Sequence, residues 1–162
     1  MRVENWNQEF LEALLKAQEA GVSFAWVAPS TSGAGIGLAP QVHCLSWSSY
    51  MVEAITGKDY YKELASELDY NSPLSAMKAL RSLGFESVDQ LIGSLFPEKR
   101  KVYAQRGDLA LVPADPENIP EDLEGLRLAV GVVDPPWVWI VDATHGIERV
   151  SLDLATKVFE VN

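Results

Sequence analysis

The sequence predicts an α+β fold, helices first and an antiparallel sheet after them, on three observations. Through most of the first hundred positions apolar residues recur at three- and four-residue steps, as along one face of a helix. After Arg106-Gly107-Asp108 the pattern changes to short apolar runs separated by turn residues, which is how strands read. No internal repeat and no shift of composition divides the 162 residues, so the chain reads as a single domain over 1–162.

Taken in order, Asn5 can cap a first helix and Gln8 can answer it, with Trp6, Phe10, Leu14 and Leu15 as its buried stripe and Gly21 as its end. Val22, Phe24 and Trp26 alternate with Ser23 and Ala25 as a short strand. Residues 28–42 form a long loop rich in Gly, Ser, Ala and Pro, a length that is usually functional or mobile. A second helix runs from about Cys44 to Ile55, with Cys44, Trp47, Met51 and Ile55 on one face and Gly57 as a left-handed cap. The helical pattern of residues 58–71 is weaker. Ser72-Pro73 opens the next helix, carried by Leu74, Met77, Leu80 and Leu83 and closed by Gly84. Ser87-Val88-Asp89-Gln90 is a capping box that opens a short helix through Leu95.

In the second part, Leu109 to Val112 is a strand-length run, and residues 113–125, with three prolines and five acidic residues, read as a solvated loop. Leu126 to Val133 and Trp137 to Val141 form a hairpin across Asp134-Pro135-Pro136, and Ile147 to Val150 follows the Thr144-His145-Gly146 turn. Gly107 permits the Arg106-Gly107-Asp108 turn and Asp108 fixes it through local hydrogen bonds. The tail from Ser151 has a capping serine and predicts a final helical turn or two.

Composition narrows the function. A net charge of −10 repels phosphate backbones, and the one basic cluster, Lys99-Arg100-Lys101, is too short to oppose it, so nucleic-acid binding is excluded. One cysteine rules out an internal disulfide. No apolar run approaches the roughly 20 residues that span a bilayer, and no signal-peptide core follows Met1, which predicts a protein made in the cytoplasm without membrane insertion. No Cys/His cluster has metal-ligand spacing, and Gly33-Ala34-Gly35-Ile36-Gly37 lacks the lysine and hydroxyl residue of a phosphate cradle. No cofactor is expected. The tryptophans, Trp137 and Trp139 included, default to core.

The chemistry concentrates at Cys44, where a loop turns into a helix. A thiol on the first turn feels the positive end of the helix dipole and unpaired backbone N–H groups, both of which favour the nucleophilic thiolate. The alternative is a small buried apolar residue.

Cysteine at a helix start, helices, then an Arg-Gly-Asp-led strand with two more after it resembles the NlpC-type cell-wall peptidases of the papain-like cysteine peptidase superfamily. A phage and prophage branch is similar in Met1-Arg2-Val3-Glu4-Asn5-Trp6, Phe24-Ala25-Trp26, Cys44, Thr56-Gly57-Lys58-Asp59 and Ala104-Gln105-Arg106-Gly107-Asp108-Leu109. The resemblance implies a papain-like fold with helices packed on a C-terminal antiparallel sheet, and Cys44 in the nucleophile position. The family's aspartate before the cysteine is here His43. The base position, just ahead of Val130-Gly131-Val132, is here Ala129, and the orienting polar residue falls on Asp142. A papain-like site needs an imidazole in reach of the sulfur, and alanine cannot serve. His43 and His145 remain as displaced bases. Against that, adjacent residues at a helix start point apart, which would leave His43 on the rim. His145 lies on a turn of the kind usually exposed, and Asp142 can simply hold that turn. The resemblance thus implies a phage virion protein, made in the host cytoplasm and carried in the tail or tail tip. It would contact other tail proteins or peptidoglycan as a degenerate docking module, or else act as a peptidase or amidase on peptidoglycan peptides.

Overall fold

The computed structural model describes residues 1–26, 41–65, 70–115, 119–142 and 144–162. The fold is α+β, as expected. Five helices come first: α1 (Trp6–Glu19), α2 (Cys44–Thr56), α3 (Tyr60–Ala65), α4 (Pro73–Ser82) and α5 (Val88–Leu95). Two short strands, β1 (Ser23–Phe24) and β2 (Gln41–Val42), pair in parallel and lead into α2. The remaining strands are β3 (Glu98–Lys99), β4 (Leu109–Pro113), β5 (Leu128–Asp134), β6 (Trp137–Asp142), β7 (Gly146–Ser151) and β8 (Lys157–Phe159). They form a six-stranded antiparallel sheet in the order β3-β8-β4-β5-β6-β7. Most of predicted loop 28–42, with its glycine run, lies outside the described residues.

Strand alternation sorts the sheet into two faces. Leu109, Leu111, Val130, Val132 and Val141 face the helices and join Phe10, Trp47, Met51 and Ile55 in the main core. Ala110, Val112, Val133, Val138 and Val158 point the other way into a smaller cluster. Helix α2 lies against α1, β5 and β6 and is pinned at both flanks. Tyr50 donates to the Ala13 carbonyl at 3.0 Å, Ser48 to the Val130 carbonyl at 3.2 Å, and the Trp47 indole to the Trp139 carbonyl at 3.1 Å.

Several expectations need correction. Asn5 makes no side-chain cap, bonding Glu9 instead, and Leu15 is exposed because α1 buries Ala13, Leu14 and Ala17. The tail forms the expected turn, a 3-10 turn at Leu152–Leu154 capped by Ser151, but then continues as β8, an inner strand between β3 and β4. Leu123 and Leu126 within and just after 113–125 are buried, so that stretch is not wholly solvated. Trp137 is exposed, its ring covered on one side by the Arg149 guanidinium at 4.7 Å.

Asp108 does more than hold its turn. Its carboxylate is fully buried and accepts from Lys99 Nζ at 2.8 Å, Arg2 Nη2 at 3.1 Å and the backbone N–H groups of Gln105 and Val161. Arg2 also donates to the carbonyls of Val161 and Arg106, so one carboxylate ties both chain ends to the start of β4.

Candidate functional site

Cys44 is the first residue of α2, and its predecessor is the N-cap. His43 is extended there (φ −112°, ψ 177°), its Nδ1 accepts from the Leu45 N–H at 3.2 Å, and its own N–H donates to Ser46 Oγ at 3.0 Å. An imidazole thus caps the helix where a serine or aspartate would be usual. That geometry turns the ring inward. His43 is 4% exposed, not on a rim, and its Nε2 bonds the Tyr70 hydroxyl, which bonds the Tyr61 hydroxyl. Burial pushes the imidazole down to about 3. It is neutral at physiological pH, with both ring nitrogens engaged.

The thiol departs from the helix-dipole expectation. Cys44 keeps part of its surface toward a cavity, yet the apolar surroundings push its thiol up. The nearby backbone N–H groups of Val130, Leu45 and Cys44 itself oppose this and do not prevail. Desolvation outweighs the helix terminus here, because the thiolate loses far more hydration than a half-charge restores.

The aligned base position is apolar. Ala129 borders the cavity and packs with the second cluster, while Leu128 and Val130 pack with the main core. No residue of that stretch presents an acid or base to the sulfur. Asp142 ends β6 and holds the following turn: its Oδ2 accepts from the backbone N–H of Thr144 at 3.0 Å and of His145 at 2.8 Å. These bonds, with that of the His145 ring at 3.1 Å, draw its carboxyl below the usual range. His145 is 67% exposed on its side chain and pairs with Asp142 and Glu148. Among the described residues no hydrogen bond joins either imidazole to Cys44 Sγ. The structure thus brings Cys44, the buried cap His43 and the half-buried Asp142 to the border of one cavity, and leaves His145 exposed on the turn beyond.

Ligand atoms of Asp142, His145 and Glu148 lie within 4.8 Å of one another, a spacing that can hold a cation. No described helix is long and apolar enough to cross a membrane.

The cavity beside Cys44 measures about 190 Å³. Its walls are mainly apolar, among them Leu80, Val88, Leu91 and Ile92, and its polar lining includes Cys44, His43, Tyr61 and Tyr70. Burial raises the Tyr61 hydroxyl to about 12 and pushes Tyr70 well above the usual tyrosine range, so both remain neutral donors. The two tyrosines were not singled out from the sequence. They sit at the edges of the weakly patterned stretch 58–71, and nothing local relates them to His43.

An α+β protein with a cysteine-headed helix laid on an antiparallel sheet is the class that fold and site define. A family described as a domain of unknown function (DUF6950) matches residues 1–161, and the chain belongs to that family. No curated protein and no solved structure matches the chain.

Proposed function

We propose that this chain is a docking or binding module of NlpC-like, papain-type ancestry that carries out no cysteine-peptidase chemistry. The observation that carries this reading is the setting of Cys44. Its thiol is raised by burial, and both imidazoles are committed elsewhere, His43 to Leu45 and Tyr70 and His145 to Asp142. Cysteine-peptidase turnover needs an imidazole to form the ion pair and then protonate the leaving amine. Losing that acid–base partner alone removes roughly 10²–10⁴-fold. The first-turn cysteine on an antiparallel sheet supports the papain-like ancestry, together with the motifs of residues 1–6, 24–26, 56–59 and 104–109. The phage tail as the setting, and other tail proteins or peptidoglycan as partners, rest on that resemblance.

The test is thiol reactivity read beside turnover. Iodoacetamide should label Cys44 more slowly than a peptide thiol at neutral pH, and purified muropeptides should remain intact. Fast labelling together with cleavage that Cys44→Ser abolishes would establish the active peptidase instead. Mass spectrometry of purified virions decides the setting: the chain should be present among the tail proteins, and its absence refutes that placement.

A further inference from the structure

We infer that the cavity beside Cys44 binds a small, uncharged, mainly apolar carbonyl compound, whose oxygen accepts the one hydrogen left over by the Tyr61–Tyr70–His43 network. The inference deepens the docking-module reading of this site and rests on it.

The argument is a count of hydrogens. Because Nδ1 of His43 accepts from the Leu45 N–H, the neutral ring carries its hydrogen on Nε2 and donates it to the Tyr70 hydroxyl. The hydrogens of Tyr70 and Tyr61 then share one contact, between the two hydroxyl oxygens. Three donor hydrogens meet two bonds. Whichever way the tyrosine pair is oriented, one O–H remains, and no third partner of either hydroxyl stands among the described residues. Both tyrosines are more than nine-tenths buried, and both border the cavity. A buried donor without an acceptor is costly, so the spare O–H marks where a ligand oxygen belongs.

The walls define the rest of the ligand. A cavity of about 190 Å³ exceeds the roughly 150 Å³ that takes up benzene when lined by Leu, Ile and Phe. It suits one aromatic ring with a short substituent. No lysine or arginine is among the described lining residues, whereas Asp115 and Asp142 are. Together with the net charge of −10 this disfavours a carboxylate and selects a ketone, ester or amide oxygen.

Three probes of similar size separate these requirements: acetophenone, ethylbenzene and benzoate. Each is titrated into the full chain and followed by NMR of the Leu80, Leu91 and Ile92 methyl groups. Acetophenone should shift these resonances and bind about tenfold tighter than either of the others. In the Tyr61→Phe/Tyr70→Phe variant its advantage over ethylbenzene should shrink to about threefold or less. Equal binding of acetophenone and ethylbenzene by the wild-type chain would overturn the inference, whether or not the variant folds. So would an advantage that survives loss of both hydroxyls, or tighter binding of benzoate. Muropeptide turnover is read separately: cleavage refutes the non-catalytic reading, whereas failure of the probes with no cleavage refutes this inference alone.

Discussion

The hydroxyl of Ser48 donates to the carbonyl oxygen of Val130 at 3.2 Å, joining the second turn of the cysteine-bearing helix to an inner strand of the sheet. Ser48 is 2% exposed and Val130 fully buried, so water cannot replace the bond. Ser48→Ala should cost about 1–2 kcal/mol, the range for a buried hydrogen bond whose acceptor loses a partner. Urea unfolding should show a lower midpoint at an unchanged m-value. A midpoint equal to wild type would mean that packing alone seats α2.

His43 makes stability depend on pH below neutrality. Its imidazole titrates at about 3 in the folded chain, against 6.5 for an ordinary histidine. Between those values the unfolded chain binds a proton that the folded chain refuses. Stability is therefore undiminished above about pH 6.5 and falls as pH drops toward about 3, with a slope approaching 1.4 kcal/mol per pH unit from this group. His43→Gln should flatten that part of the profile, as read from urea midpoints between about pH 7.5 and about pH 4.5. Identical slopes in the two proteins would refute the assignment.

Asp108→Ala should be among the most damaging single changes, at about 3–5 kcal/mol, because it leaves two nearly buried cations without their counter-charge. The same change frees Arg2, so hydrogen exchange should rise at Val3 and Val161, the residues at the two tied chain ends. Loss below about 1 kcal/mol would show that Arg2 and Lys99 find water readily.

At the β6–β7 turn the two predicted site residues should separate. Asp142→Ala removes an acceptor of two backbone N–H groups and should cost about 1 kcal/mol. His145→Ala, at an exposed position, should stay within about 0.5 kcal/mol of wild type. Thermal unfolding of both variants checks this. Equal and large losses would point to the Asp–His pair itself as structural.

By itself the sequence determined what local patterning can encode. The helix headed by Cys44, the Gly57 cap (φ 74°), the Ser72 and Ser87 caps and the β5–β6 hairpin all follow from residues within a few positions of one another. Periodicity and capping act through the backbone nearby, so they are legible in order along the chain. Strand β8 was not legible, since Lys157–Phe159 is three residues long and becomes a strand only by inserting between β3 and β4. Nor was the packing of Ala129: the family resemblance placed it in the base position, and only the folded sheet shows it packed against the second cluster. The same holds for the cap made by His43 and for the tyrosines beneath it, which are 18 and 27 residues away in sequence and adjacent in space. The state of Cys44 was decided there too. A helix N-terminus favours a thiolate, but the apolar walls assembled from distant parts of the chain set the dielectric, and desolvation is the larger effect.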